Sequence, residues 1–245
     1  YNSFYEKHIF TPRFHFRWKI TDDLIFRGAA GKGFRSANLI ADNFGLLAST
    51  RDSKMDGTLG MEEAWNAGVN LSQTIKIWGD REMSIALDYY HTNFINQVVV
   101  DYDKDANQVW FSNLDGKSYS NAAQLDINIE PLEGFNISLA GRYNDVMTTY
   151  HGELMQKPYV SKWKGLVVLS YKTKYDKWMF DLTTQFNGKQ RVPLNVGYDK
   201  EYAPGYIYML AQITRKFKNF DVYVGAENLT DYKQDTPVFG ADQPF

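Results

Sequence analysis

The chain has 245 residues, a formal net charge of −2 and no cysteine. The near-neutral charge argues against a nucleic-acid partner, and the absence of cysteine excludes disulfides and thiolate metal sites. No stretch approaches the roughly 18 consecutive apolar residues of a membrane-spanning helix, which argues against a helical membrane protein. These limits leave an all-β chain open, including a membrane β-barrel, whose strands hide only one face in lipid.

Alternation of apolar and polar residues predicts ten β-strands. The pattern is clearest in Trp65–Ile77, where Trp65, Val69 and Leu71 alternate with small or polar residues. In chain order the predicted strands lie near residues 13–20, 24–34, 65–77, 83–90, 125–130, 135–144, 166–171, 178–185, 206–215 and 220–224. The strands at 166–171 and 206–213 are apolar on both faces, so their assignment depends less on alternation than on their place in the series.

The connections between these strands sort strictly by length. Short ones lie near residues 21–23, 78–80, 131–134, 173–177 and 217–219, and long ones near 36–61, 99–117, 150–163 and 189–205. Short and long alternate along the chain, which places all long connections at one end of the strands. Outer-membrane barrels have this arrangement, with tight periplasmic turns and longer extracellular loops.

The two faces of the predicted sheet differ in polarity. The polar face is predicted to point inward and to carry Arg13, Arg17, Lys19, Asp88, Asp126, Glu130, Arg142 and Asp181. Aromatic residues crowd the strand ends beside the short turns, as an interfacial girdle does: Trp18, Trp78, Phe135, Trp178, Phe217 and Phe220. A polar interior with an apolar exterior predicts an all-β, antiparallel transmembrane β-barrel.

Three segments carry a family resemblance. Arg27–Arg35 reads R-G-A-A-G-K-G-F-R, Glu62–Gly68 reads E-E-A-W-N-A-G, and Glu227–Tyr232 reads E-N-L-T-D-Y. In this order they resemble motifs of TonB-dependent outer-membrane receptors. Residues 164–193, which end in Arg191-Val-Pro193, look like the version found in Bacteroidetes.

The resemblance implies a plugged barrel of about 22 strands. It also implies uptake of a scarce nutrient (siderophore, haem, cobalamin or glycan), energised by the TonB complex through an N-terminal part. Residues 1–245 are accordingly expected to form a partial β-barrel domain in the bacterial outer membrane, without the plug and, because residues 241–245 do not alternate, without the last strand. The expected partners are outer-membrane lipid, the TonB complex and a small-molecule or glycan ligand.

No group of residues suggests catalysis, and no cofactor is expected. Asp101, Asp103, Asp105 and Asn107 alternate like calcium ligands, but the remaining positions of a calcium loop do not match, so a solvated acidic loop is favoured and no metal site is assigned. The four histidines form no close ligand pair. The chain is therefore predicted not to be an enzyme.

Aromatic residues in the long connections are expected to be exposed and to include ligand contacts. They are Phe44, Trp110, Phe111, Tyr119, Tyr150, Tyr159, Trp163, Tyr198 and Tyr202. Trp110, Tyr150, His151 and Tyr198 are the candidate ligand-binding residues. Two other interpretations stay open: a soluble all-β carbohydrate-binding module, and a small outer-membrane barrel enzyme.

Overall fold

A computed structural model describes residues 8–45, 51–105, 107–193 and 200–234 of the chain. These residues contain sixteen strands, one short α-helix, α1 (Leu39–Asp42), and a 3-10 turn, Lys174–Asp176. The strands in chain order are β1 (Arg13–Lys19), β2 (Leu24–Arg35), β3 (Asp52–Met55), β4 (Glu62–Lys76), β5 (Glu82–Asn96), β6 (Val98–Asp101), β7 (Gln108–Asn113), β8 (Ser118–Leu132), β9 (Phe135–Tyr150), β10 (Glu153–Gln156), β11 (Trp163–Lys172), β12 (Trp178–Asn187), β13 (Gln190–Arg191), β14 (Tyr202–Ala203), β15 (Tyr206–Lys216) and β16 (Asp221–Ala226).

Eleven of these strands form one antiparallel sheet: ten follow each other in the order β1-β2-β4-β5-β8-β9-β11-β12-β15-β16, and the short β10 pairs with the end of β9. Each strand pairs with the next long strand along the chain, which confirms the ten predicted strands, including the two that alternate poorly. The order of short and long connections is also confirmed. Within the described residues β1 and β16 do not pair with each other, so the sheet is open. The expectation about residues 241–245 falls outside the part of the chain that the structure describes.

The apolar face of the sheet is built from rows of side chains that lie opposite each other on successive strands. One row consists of Ile85, Ile127, Leu139 and Val167, and the next of Leu71, Leu87 and Leu125 opposite Gly141 and Gly165. Many of these large apolar side chains are exposed. Since water disfavours a contiguous apolar surface of this extent, the face requires an apolar surrounding.

The polar face carries a network of hydrogen bonds between neighbouring strands. Arg27 Nη1 donates to Asn70 Oδ1 (2.9 Å) and Ser72 Oγ (3.0 Å), and Asn70 Nδ2 donates to Asp88 Oδ1 (2.9 Å). On the same face, between β11 and β12, Ser170 Oγ donates to Asp181 Oδ1 (2.6 Å). The register places seven of the eight residues predicted to point inward on this face, and the eighth, Glu130, lies within the register shift between Ile129 and Leu132.

Aromatic side chains form a band at the end of the sheet that carries the short connections. Phe135, Tyr171 and Phe180 lie side by side on the apolar face, with ring centroids 6.5 and 6.4 Å apart, and Trp178 follows 6.4 Å from Phe180. The Arg215 guanidinium lies 4.8 Å from the centre of the Trp178 ring. Rings with one apolar and one polar aspect suit the headgroup level of a membrane, as predicted for this girdle.

The central strands are longer than a bilayer crossing requires. Strands β4, β5 and β8 have 15 residues and β9 has 16, whereas about 9–11 tilted residues cross a membrane. The excess lies at the end with the long connections. There the chain forms further strands, which the sequence analysis did not assign. In the described part of the chain no helix is long and apolar enough to cross a membrane.

Two glycines in the sheet let an aromatic ring lie flat on the wall. A Cβ on Gly68 would come within 2.2 Å of the Tyr90 ring, and one on Gly28 within 2.1 Å of the Phe16 ring. In contrast, a Cβ on Gly141 would meet nothing within 4 Å. The sheet therefore needs glycine at two positions for packing and tolerates a side chain at the third.

We expect Gly68→Ala to lower the free energy of unfolding by about 1–3 kcal/mol, because the Tyr90 ring must leave its place. Gly141→Ala is the matched control and should have little effect. Urea unfolding of the complete protein in lipid vesicles would measure both changes. Equal stability of the two variants would contradict the packing role of Gly68.

Candidate functional site: a folded cap on the long connections

The long connections pack together into one structure, which we call the cap. Its centre is a three-stranded sheet in the order β3-β7-β6, in which β3 and β7 run parallel. Val98, Val109 and Phe111 are its buried core, and partly buried apolar residues surround them: Ala37, Leu39, Leu59, Val100 and Tyr102. Connections that are far apart in sequence thus share one apolar core.

A buried ion pair binds the connection that follows β12 to the central sheet of the cap. Arg191 Nη2 lies 2.7 Å from Asp103 Oδ2, and Arg191 Nη1 donates to Asp103 Oδ1 at 3.2 Å. The two side chains are only 3% and 1% exposed. Arg191 Nε also donates to the Gln156 carbonyl at 2.5 Å, and the Arg191 carbonyl accepts from the Tyr159 amide at 3.0 Å. Arg191 therefore joins three long connections at one point.

Three tyrosines enclose this ion pair. The Tyr150 ring centre is 5.5 Å from the Arg191 guanidinium, and Tyr102 and Tyr159 meet edge to face at 6.0 Å. Burial raises the pKa of the Tyr102 and Tyr159 phenols above their ordinary value, and the nearby Arg51 only partly opposes this shift. The phenols are therefore neutral at physiological pH and add no charge beside the ion pair.

His151 stands at the tip of a two-residue hairpin turn between β9 and β10. It and Gly152 have φ angles of 51° and 82°, as a turn with two left-handed residues requires. Its Nε2 lies 2.9 Å from Asp101 Oδ2, while Asp101 Oδ1 accepts the backbone amides of Asp103 and Lys104. Asp101 thus joins the tip of the hairpin to the central sheet of the cap.

A cavity of about 260 Å³, which we call the cap cavity, lies between the central sheet and this hairpin. Its polar lining includes Asp56, Asp101, Lys104, Asp115 and His151. Three of the four predicted ligand-binding residues border it: Trp110, Tyr150 and His151. The fourth, Tyr198, lies outside the described residues.

The expectation that the aromatic residues of the connections are exposed is wrong for two of them. Phe111 is 2% and Tyr150 3% exposed, because Phe111 belongs to the cap core and Tyr150 packs on Arg191. Tyr150 therefore presents only a small part of its surface to the cap cavity. Trp110, the neighbour of Phe111 on β7, points to the other side of its strand, and Lys104 Nζ lies 3.4 Å from the centre of its ring.

The alternating acidic side chains at 101–107 contact other groups of this chain. Asp101 contacts His151, Asp103 pairs with Arg191, and Asp105 Oδ1 accepts the Asn107 amide at 2.7 Å. Among the residues that the structure describes, no group of three or more acidic, histidine or cysteine side chains could hold a metal ion. The sequence analysis missed the Asp103–Arg191 pair, because 88 residues separate its members and no local pattern links them.

The residues behind the family resemblance have structural roles. At the cap end of the sheet, Arg35 Nε donates to Glu62 Oε2 at 2.7 Å, and Glu62 Oε1 accepts the Val98 amide at 3.0 Å. The first two motifs therefore meet, and Glu62 also connects the sheet to β6. In the third motif, Asn228 has a φ of 52° and bonds the Tyr232 backbone through both ends of its side-chain amide. It shapes the turn that follows β16.

The polarity of its two faces and the meander of its strands identify the chain as the wall of an antiparallel membrane β-barrel. The family model "TonB dependent receptor-like, beta-barrel" matches residues 1–229, so the chain belongs to this family. No curated protein sequence matches the chain.

Solved structures show the same fold. The ferric enterobactin receptor PfeA of Pseudomonas aeruginosa is similar with a TM-score of 0.64 and 13% identity, over 90% of this chain and 34% of that one. The siderophore receptor PiuA of Acinetobacter baumannii has a TM-score of 0.62 and 16% identity, over 90% of this chain and 31% of that one. The iron transporter FrpB of Neisseria meningitidis has a TM-score of 0.64 and 11% identity, over 91% of this chain and 35% of that one. The chain spans about a third of the length of these proteins.

Family membership locates the chain in the bacterial outer membrane, in a class of receptors and transporters rather than enzymes. The predicted family, fold class and location are confirmed. The two other interpretations, a soluble carbohydrate-binding module and a small barrel enzyme, are wrong. The apolar face of the sheet is accordingly its lipid-facing side, and the polar face lines the lumen.

Proposed function

We propose that this chain forms part of the wall and the extracellular cap of an outer-membrane receptor that takes up a scarce small-molecule nutrient. The observation that carries the proposal is the charged, hydrogen-bonded face of the sheet opposite a lipid-facing one. A wall with this polarity encloses a polar passage, as receptor and transport barrels of the outer membrane do.

The nutrient is taken from the classes that receptors of this family serve: siderophore, haem, cobalamin or glycan. Entry would be energised by the TonB complex through a part of the protein outside residues 1–245. We propose further that the remaining strands, the last strand among them, and the plug also lie outside this chain. Two facts support this: the sheet is open, and the chain spans about a third of the similar receptors. The Bacteroidetes-like origin suggested by residues 164–193 stays a prediction.

Ligand contact is proposed for the cap cavity, with Trp110 and His151 as the main side chains and Tyr150 at its border. Tyr198 stays a prediction of the same kind. The support is the convergence of three connections on one half-open, mostly polar cavity. Ligand sites of proteins are commonly concave and carry a few polar groups that fix orientation.

Accumulation of labelled candidate ligands in cells tests the proposed function. We expect uptake of one ligand class by cells that produce the complete protein, and loss of this uptake when TonB is deleted. Arg142→Glu should reduce uptake several-fold, because it reverses a charge on the lumen-facing side, with little effect on stability. Lys218→Glu, in a short connection outside the lumen, is the matched control. Uptake that is independent of TonB, or misfolding of the Arg142 variant without an uptake defect, would contradict the proposal.

A further inference from the structure

Two neighbouring short connections carry an excess of positive charge. Residues 172–177 join β11 to β12, residues 215–221 join β15 to β16, and together they contain six cations and two carboxylates. We call the cations the basic patch: Lys172, Lys174, Lys177, Arg215, Lys216 and Lys218. The other three short connections, with the strand ends beside them, lie at 19–23, 76–82 and 130–134 and contain three cations and six carboxylates. Positive charge is therefore concentrated at one part of this end of the sheet.

The two connections form a continuous surface. Strands β12 and β15 pair directly, with Trp178 opposite Arg215, and the Lys216 amide donates to the Lys177 carbonyl at 2.9 Å. Among the residues that the structure describes, none of the six cations of the basic patch belongs to an ion pair. Since like charges repel each other, a bound anion would relieve the repulsion within the patch.

Exposed aromatic rings stand between these cations, at the edge of the lipid-facing side. The ammonium groups of Lys174 and Lys177 lie 5.5 and 6.0 Å from the centre of the Tyr175 ring, and Tyr175 is 78% exposed. The Arg215 guanidinium lies 5.5 Å from the centre of the Phe217 ring. Rings and cations in this arrangement suit the headgroup level of a membrane, where the rings contact the apolar layer and the cations reach the phosphates.

The position of Arg215 selects the kind of anion. Arg215 lies opposite Trp178 of the aromatic band and packs on its ring, so its side chain is on the lipid-facing side of the sheet. The short connections of an outer-membrane barrel face the periplasm. An acidic protein in the periplasm can reach the exposed lysines of the turns, whereas a guanidinium beside the apolar face is within reach of a lipid headgroup. Guanidinium and ammonium groups both bind phosphate oxygens, and clusters of roughly four to eight Lys and Arg beside a membrane segment bind anionic lipids.

We propose that the basic patch binds the headgroup of an anionic phospholipid, of the phosphatidylglycerol class, in the periplasmic leaflet of the outer membrane. The phosphate contacts the Arg215 guanidinium and the lysines of the two connections, and the acyl chains follow the exposed pair Phe180 and Ile213 on β12 and β15. A zwitterionic phospholipid brings an ammonium group toward the patch and gains less from it. The proposal concerns how the wall is held in its membrane, so it does not depend on the transported ligand.

Native mass spectrometry of the complete protein in detergent tests the proposal. The probes are phosphatidylglycerol and phosphatidylethanolamine with the same acyl chains. We expect phosphatidylglycerol to bind at least about tenfold more tightly, since each basic residue beside an anionic membrane surface contributes roughly a fivefold gain in affinity. Lys174→Gln/Lys177→Gln should weaken the binding of phosphatidylglycerol by at least about tenfold and Arg215→Gln by about fivefold. Neither variant should change the binding of phosphatidylethanolamine.

Lys19→Gln/Lys76→Gln is the matched control, because it removes two cations from the same end of the sheet but outside the basic patch, and it should bind both lipids like the unchanged protein. An unboiled gel band that migrates faster than the boiled one verifies that each variant is folded. Equal affinity for the two lipids, or an equal effect of the two double variants, would overturn the proposal. Displacement of phosphatidylglycerol by soluble glycerol phosphate or by a glutamate-rich peptide would also overturn it, and would assign the patch to a soluble anion or to an acidic protein.

Discussion

Arg191→Met should open the cap, because it removes the buried guanidinium that pairs with the Asp103 carboxylate. Removing one member of a buried ion pair typically costs about 3–5 kcal/mol, and the pair here is almost completely shielded from water. The loss should be local, since Arg191 contacts the long connections and lies outside the eleven-stranded sheet. We expect faster amide hydrogen exchange in residues 98–113 and 188–193 and unchanged exchange in β8 and β9 of the sheet.

Two further variants distinguish the charge from the packing. Lys189→Met removes an exposed cation two residues away and should leave exchange unchanged. Asp103→Leu combined with Arg191→Met replaces both buried charges by apolar side chains and should recover part of the lost protection, because no charge of the pair then remains in the buried site. Equal exchange in the Arg191 and Lys189 variants would show that the ion pair does not hold the cap together.

Leu139→Arg should destabilise the barrel by about 2–4 kcal/mol, the cost of a cation near the middle of the lipid-facing surface. Leu139 lies on β9 midway between Phe135, in the aromatic band, and Tyr143, whose ring centre is 4.7 Å from that of Trp163, and 38% of Leu139 is exposed. The neighbouring Ser138 lies on the lumen-facing side, opposite Asn128 and Val168. Ser138→Arg should therefore cost little.

Urea unfolding of both variants in lipid vesicles compares the two faces directly. Both variants place an arginine on the same strand, so a difference in their stability reports the surroundings of the two faces and not the effect of arginine on strand formation. If Ser138→Arg were as costly as Leu139→Arg, the assignment of the two faces to lipid and lumen would be wrong. In detergent with short chains the difference should shrink, because the apolar layer around the barrel is thinner and water reaches the arginine more easily.

The cap orders the long connections, which matters for the ligand contact proposed for its cavity. A loop ordered only on binding spends part of the binding energy on its own conformational entropy. Here the Val98–Val109–Phe111 core and the Arg191–Asp103 pair order the cap before any ligand arrives. A cavity formed in advance avoids this entropy cost. A substitution that loosens the cap should therefore lower ligand affinity even where the substituted residue does not contact the ligand.

The sequence by itself determined the ten long strands, their order along the chain and the two faces of those strands that alternate. Side chains of a strand point alternately to opposite sides, so the run from Trp65 to Ile77 shows which residues share a face without knowledge of the partner strand. Tight turns such as the one at Glu133-Gly134, where Gly134 has a φ of 76°, also depend on neighbouring residues alone. Local chemistry was therefore sufficient for the wall of the barrel and for the family motifs.

Only the tertiary structure decided the cap. Strands β3 and β7 are short and pair in parallel across more than 50 residues, and Asp103 meets Arg191 across 88. Trp110 and Phe111 are adjacent aromatic residues, yet one borders the cavity and the other fills the core. The sequence alone gives no reason to assign them so, because their environment is made by connections that are distant along the chain. Contacts of this kind depend on how the barrel brings its long connections together, and no local periodicity records them.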